Sequence, residues 1–200
     1  MSVRKILICP QAKEALRKKS VAVPLVSRQV RRLIKDLKDT LKAHPDGIGL
    51  AAPQIGEHQR VVIVRLTEGR ETPAPPLALI NPQIVEAKDP RRDFDGCLSF
   101  PGLYGETVRP HHLRVSALDE SGNPFDRLFL DFDAVLVHHE IDHLEGVLFI
   151  DHIERPEDFY YIREDEAGNQ QRVSLTSPED FLRWGLAVPE KIRGREEGAR

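Results

Sequence analysis

Residues 132–146 read FDAVLVHHEIDHLEG. Phe132, Val135, Leu136, His139 and His143 fall on one face at helical spacing. The two histidines therefore continue an apolar stripe into a core. The pattern predicts a helix over roughly 133–145, capped by Asp131 or Asp133 and stopped by Gly146. On such a helix, positions i and i+4 lie one turn apart on the same side, so His139 and His143 can face one ion. Glu140 projects beside that ion, free to move protons for a water held there. H-E-x-x-H is a short pattern that also arises by chance, on exposed charged helices with surface histidines. The apolar stripe argues against that bland reading.

Two imidazoles do not complete a hydrolytic metal site, which takes three protein ligands and one open position. Downstream candidates for the third are His152, Glu154 and Glu157. The upstream candidate is Cys97 in DGCLSFPG (95–102), a Gly-flanked, Pro-terminated segment. Thiolate is a strong ligand for zinc or ferrous iron. A lone cysteine is more often a small buried residue, but a His pair short of one ligand turns the reading toward Cys97. Cys9 has no such context and reads as packing. With two cysteines, the chain carries no disulfide framework.

Further upstream, GIGLAAPQIG (47–56) combines glycines that allow close backbone approach with a wall of small apolar residues. Gln54 stands among them, and a buried amide wants partners. It either ties down a neighbouring loop or aims a donor at a substrate carbonyl oxygen.

Around these segments the pattern is α+β. RVVIVRL (60–66) reads as a buried strand, and LALINPQIVEA (77–87) as another, interrupted at Asn81-Pro82. The 67–76 stretch reads as a surface loop. Residues 113–132 read as a hairpin turning at ESGN, and 158–175 as a second hairpin. RQVRRLIKDLKDTLKA (28–43) is an amphipathic helix capped by Ser27, with Val30, Leu33, Ile34, Leu37 and Leu41 inward. Its Lys/Arg-rich face reads as a solvated one, with a nucleic-acid or ribosome contact as the alternative. SPEDFLRWG (177–185) starts a short helix with Ser177 at the N-cap and Pro178 at N1. The last ten residues are charged and read as frayed.

A length of 200 residues favours one domain, or one with an appendage. The net charge of −3 gives no global signal for DNA or RNA. No apolar run reaches a membrane span, and the N-terminal one is too short for a secretory signal. The first 35 residues are basic with one acid, Glu14, as organellar presequences are. The scarcity of serine and the regular helix that follows argue against that reading, which leaves a cytoplasmic protein as the expectation.

Taken together, GIGLAAPQ, DGCLS and HEIDHLEG stand in the order and spacing of the peptide deformylase family, which the chain closely resembles from about residue 3 to about 153. The resemblance implies an α+β fold of mixed or antiparallel sheets packed around a central helix that bears the His pair. It implies a hydrolase that removes the formyl group from the N-terminal formyl-methionine of nascent chains. It also implies one divalent ion, ferrous iron natively, replaceable by nickel, cobalt or zinc. Carried over by position, Cys97, His139 and His143 bind the metal and Glu140 is the general acid/base. Gln54 and the Leu98 N–H receive the oxyanion. Gly49 lies at the formyl end of the substrate, and Ile48 helps line the methionine pocket.

One position departs from the family: Asp95 stands where the family has Glu. The family's acid pairs with an arginine, here Arg109, and so positions the Cys loop. Aspartate is one methylene shorter: it can still reach the guanidinium if the loop shifts slightly, with a loss of geometry and metal affinity as the expectation. Asp142 either orients a histidine or braces the helix. A ribosome contact is an expectation of the family. Residues 1–155 are read as the catalytic domain. Residues 156–200, beyond the reach of the resemblance, are read as an extension packed on it. Two other readings stay open: an HExxH zinc endopeptidase using a downstream ligand, and a deformylase-like protein of low or no activity.

Overall fold

The computed structural model describes residues 3–67, 75–164 and 168–193. After the single turn α1 (Lys13–Leu16), α2 spans Arg28–Lys42. Ser27 caps it as expected, its hydroxyl accepting from Val30 N–H at 3.3 Å. The five predicted inward residues of α2 are all buried, and Arg28, Arg31, Arg32 and Lys35 face outward.

Seven strands follow: β1 (Gly49–Ala51), β2 (Val61–Val64), β3 (Leu77–Gly96), β4 (Tyr104–Leu118), β5 (Pro124–Leu130), β6 (Phe159–Glu164) and β7 (Gln170–Ser174). They form one connected sheet, antiparallel at every pairing, in the order β1-β2-β3-β4-β6-β7, with β5 also on β4. Where several sheets are expected, one sheet serves, because β4 shares its second edge. β5 pairs His112–Leu118 of that strand, and β6 takes Tyr104 and Gly105.

The apolar run in β2 has a simple cause. Val61 and Ile63 enter a core with α2, while Val62 and Val64 enter a second core on the opposite side of the sheet. β3 extends nine residues beyond its expected end at Ala87. The Asn81-Pro82 interruption is a bulge, with register shifts at Ile80/Gln83 and φ 51° at Asn81. The Asn81 side chain compensates by pairing with both Val23 N–H and Val23 C=O at 2.8 Å. The 119–123 turn is fixed by Asp119, whose carboxylate accepts from Ser121 and Asn123 N–H at 2.8 Å each.

The histidine-bearing helix, α3 (Asp131–Glu145), packs against β1, β2, β4 and β5. Neither expected aspartate caps it. Leu130, the last residue of β5, occupies the N-cap position, with no side-chain cap. The strand passes directly into the helix, so both carboxylates turn elsewhere. Asp133 accepts from Thr67 N–H and hydroxyl at 2.8 and 3.0 Å, and Asp131 pairs with Arg91. Gly146 does end the helix, at φ 73°. A Cβ there would lie 2.1 Å from Arg17 C=O.

A third core joins Cys9, Leu16, Phe100, Leu103, Leu148 and Phe149 to Phe159, Leu175, Phe181, Trp184 and Leu186. Cys9 is packing, as read, and burial pushes its thiol up to about 11. Ser177 caps α4 (Pro178–Arg183) in a capping box with Asp180. At the charged C-terminal end, Glu190–Arg193 form a short α5. The rest of that end, and most of the expected 67–76 loop, lie outside the described residues. No helix among the described residues is long and apolar enough to cross a membrane.

Candidate metal centre

α3 carries His139 and His143 on the face turned to β1 and to the end of β3. Their rings meet edge to face, with centroids 5.0 Å apart. Cys97 follows the last residue of β3, and its Sγ lies 3.3 Å from His143 Nε2. One ligand atom from each of Cys97, His139 and His143 falls within 4.8 Å of the others. Among the described residues this is the one such group of three. Ligand bonds of about 2.0–2.3 Å at tetrahedral angles put donor atoms about 3.5 Å apart, so the triad fits a transition-metal ion. The donor set of one sulfur and two imidazoles suits zinc or ferrous iron. The downstream candidates are turned to other work. His152 Nε2 sits 2.8 Å from Asp142, Glu157 pairs with Lys191, and Glu154 is exposed.

The acids behind the triad orient it. Asp95 Oδ1 lies 2.7 Å from His139 Nδ1, which leaves Nε2 for the ion. Its other oxygen accepts from Arg109 Nε at 2.6 Å and Thr107 Oγ1 at 3.1 Å. The short side chain thus reaches the guanidinium and a metal-site histidine together. Burial works against the Asp95 charge, yet His139 and Arg109 hold it well below the usual carboxylate range. Burial also opposes a proton on His139, but Asp95 raises its pKa well above the ordinary value. His143 has no such carboxylate, and burial pushes it down to about 3, so its imidazole is neutral and available as a ligand.

Arg109 continues the chain to Asp142 at 2.7 Å, and Asp142 also meets His152. Asp142 therefore braces the arginine, and its hydrogen bonds go to Arg109 and His152 rather than to His139 or His143.

Glu140 is 4 % exposed, and its Oε2 has no hydrogen-bond partner. Burial pushes its pKa up to about 7, a range suited to exchanging a proton near neutrality. Gln54 makes the loop tie, the first of the two readings left open by the sequence. Its Oε1 accepts from Ala51 N–H at 2.8 Å, and its Nε2 donates to Ser99 Oγ at 3.2 Å and approaches Cys97 Sγ at 3.4 Å. It ties down the Cys97 loop and presents its amide nitrogen beside the metal ligand.

A cleft of about 440 Å³ opens here. Ile48, Gly49, Gln54, Asp95, Cys97, Leu98, His139 and Glu140 line it, while Arg109 and Asp142 lie behind. Sequence reasoning missed three contributors. Ser99 is fully buried and anchors Gln54, Thr107 holds Asp95, and the Phe149 ring lies alongside His139 at 6.3 Å. Ser99 was visible in the CLS triplet. Nothing local marks Thr107 or Phe149, whose roles come from tertiary packing.

The family model described as polypeptide deformylase matches residues 3–159. The chain belongs to the peptide deformylase family. It is 42 % identical over 181 residues to the peptide deformylase of Thermomicrobium roseum, an alignment covering 88 % of this chain and all of that one. The structure of the Ehrlichia chaffeensis peptide deformylase in complex with actinonin matches at TM-score 0.70 and 34 % identity, over 78 % of this chain and 91 % of that one. A Met-Ala-Ser-bound class I type b peptide deformylase from Acinetobacter baumannii matches at 0.69 and 29 %, over 76 % and 100 %. Peptide deformylases are metal-dependent, and the Cys97–His139–His143 group is this chain's candidate metal site.

Proposed function

We propose that this chain hydrolyses the formyl group from the N-terminal formyl-methionine of nascent polypeptides, releasing formate and a free amine. The observation that carries the reading is the convergence of Cys97, His139 and His143 at a cleft that also holds the Gln54 amide and the buried Glu140, one of whose oxygens has no partner. Cys97, His139 and His143 would hold one divalent ion, ferrous iron natively, with nickel, cobalt or zinc as substitutes. When bound, that ion supplies Lewis acidity to the attacking water and the formyl carbonyl.

The remaining work belongs to the protein. Glu140 takes the proton from the water and returns it to the leaving amine. Gln54 Nε2 and the Leu98 N–H receive the charge that develops on the formyl oxygen. Gly49 leaves space for the formyl end of the substrate. Ile48, with the apolar Val135 and Leu136 of the cleft wall, takes the methionine side chain. Asp95 fixes the His139 ring, and Arg109 and Asp142 fix Asp95. The Met-Ala-Ser found on the A. baumannii relative has the form of a deformylated product, which supports this assignment.

Residues 1–155 act as the catalytic domain, with 156–200 as an extension of the same body. The working place is the cytoplasm, on chains emerging from the ribosome, with no role for DNA or a membrane.

The test is an anaerobic assay of iron- or nickel-loaded protein on formyl-Met-Ala-Ser. Free amine with both peptide bonds intact is expected. Cleavage inside the chain would point to an HExxH endopeptidase, and no product at all to a deformylase-like binding protein. Cys97→Ser separates the first two readings independently of turnover, because it abolishes metal binding only if the sulfur is a ligand.

A further inference from the structure

The family match ends at residue 159, as β6 begins. The stretch beyond it nevertheless grips the segment that carries a metal ligand. Leu175, Phe181, Trp184 and Leu186 are buried members of the third core, and one side of Cys97 packs on that core. The same core holds Phe149, which meets Phe100 edge-on at 5.3 Å and lies along His139.

Two contacts bear on the 97–104 loop itself. Trp184 is 5 % exposed, and its Nε1–H donates to Pro101 C=O at 3.3 Å. At the far end of the loop, β6 pairs Tyr160 with Tyr104, and the two rings stack at 6.1 Å. The Arg172 guanidinium of β7 covers the other partner of that stack, 4.7 Å from the Tyr160 centroid. Phe100, Pro101, Gly102 and Tyr104, at and beside these two grips, line the cleft.

We propose that Trp184 and Tyr160 are positioning residues that hold the 97–104 loop at its middle, through Pro101, and at its β4 end, through Tyr104. They thereby set how tightly Cys97 holds the metal and how the cleft wall receives the peptide. The proposal rests on the deformylase reading for its substrate, but not for its metal. The physical reason is that a ligand on a connecting loop is only as well placed as the loop. Gly102, at φ 79°, completes a turn closed by Leu103 N–H to Phe100 C=O at 3.0 Å, and the Trp184 bond to Pro101 fixes that turn against the third core. Both gripping side chains lie beyond residue 159, where the family model's match ends.

The test uses the full chain loaded with nickel. Trp184→Phe keeps an aromatic ring in the core and removes the donor to Pro101. Leu186→Ala is the control, removing area from the same core without a hydrogen bond to the loop. Trp184→Phe is expected to melt within a few degrees of the parent. It should release nickel to a chelator about three- to ten-fold faster, the equivalent of one ordinary hydrogen bond. KM for formyl-Met-Ala-Ser should rise while kcat stays within about two-fold, as expected when binding geometry alone is loosened. Leu186→Ala should melt lower and release nickel at the parental rate.

Parental nickel release and KM in Trp184→Phe would overturn the clamp. So would equal acceleration in Leu186→Ala, because core packing alone would then explain it. If Trp184→Phe fails to fold, Tyr160→Leu asks the same question at the β4 end, with the same expected and overturning results. A parent that holds nickel but does not deformylate would overturn the deformylase reading alone, since nickel release needs no turnover.

Discussion

Gly49 and the Glu140 carboxylate share one space: a Cβ at position 49 would stand 2.2 Å from Glu140 Oε1 and 2.7 Å from its Cδ. No side chain tolerates that approach, so either the strand or the carboxylate must move. β1 is fully buried and paired to β2, whereas the Glu140 carboxylate ends a rotatable side chain. The carboxylate moves. Gly49→Ala should therefore keep its metal, since none of the three ligands is displaced, and lose turnover. A misplaced proton-transfer group costs on the order of 100-fold in rate. Metal analysis alongside steady-state kinetics checks this, and loss of metal in step with activity would refute it.

Glu140 sits buried with one oxygen unpartnered, an arrangement that costs stability. Glu140→Gln keeps the shape and removes the charge. The metal-free variant is expected to melt above the metal-free parent, while its turnover falls by at least about 100-fold, the usual scale for removing a general base. Calorimetry of both metal-free proteins and an assay of both loaded ones give the comparison. A destabilised Gln variant would mean that the carboxylate is better satisfied than its surroundings indicate.

Much of this arrangement is legible in the sequence, for physical reasons that differ from residue to residue. His139, His143 and Glu140 are fixed by helical periodicity, which is local. Cys97 is legible as a ligand only because the His pair lacks a third partner. A loop tie by Gln54 is legible, but its partner Ser99, forty-five residues away, is not. The second half of β3 is missed because its residues are largely exposed and charged, so no apolar alternation marks it. It is a strand because its backbone pairs with β4 and because Arg92 meets Glu106 across the ladder. The failed caps of α3 have a similar origin. A strand that runs straight into a helix leaves no turn for Asp131 or Asp133 to close. Asp95 in place of Glu reads as a weakening from sequence, yet its two oxygens engage His139 and Arg109 at short range.

The proposed function gives Gln54 a second task besides its tie to Ser99, and variants can separate the two. Gln54→Ala removes an oxyanion donor and the anchor to Ser99. Ser99→Ala removes the anchor alone. Loss of one oxyanion donor costs about 3 kcal/mol of transition-state stabilisation, or on the order of 100-fold in kcat. Gln54→Ala is expected to show that loss with its metal retained. Ser99→Ala should lose less than about ten-fold, the scale of one neutral hydrogen bond. Equal losses in the two variants would reduce Gln54 to a loop tie.

Asp95 provides the sharpest separation of charge from shape. Asp95→Asn preserves volume but removes the anion that faces both His139 and Arg109. Arg109 has no side-chain exposure and keeps only Asp142 as an anionic partner. Breaking a buried pair on one side costs about 3–5 kcal/mol, so the variant should melt well below the parent. Its amide can also present the wrong group to His139 Nδ1, which frees that ring to turn. Loss of such a supporting acid weakens metal binding by about 10- to 100-fold. Asp95→Glu keeps the charge but forces one more methylene into a site that is 4 % exposed. It should hold more of both stability and metal affinity than Asn does, because the anion, rather than the exact reach, satisfies Arg109. Chelator competition and thermal melts of the three proteins decide the order. If Asp95→Asn binds metal as well as Asp95→Glu, the carboxylate does not hold His139 in place, and the chain from Asp142 through Arg109 to the metal ligand carries no energetic link.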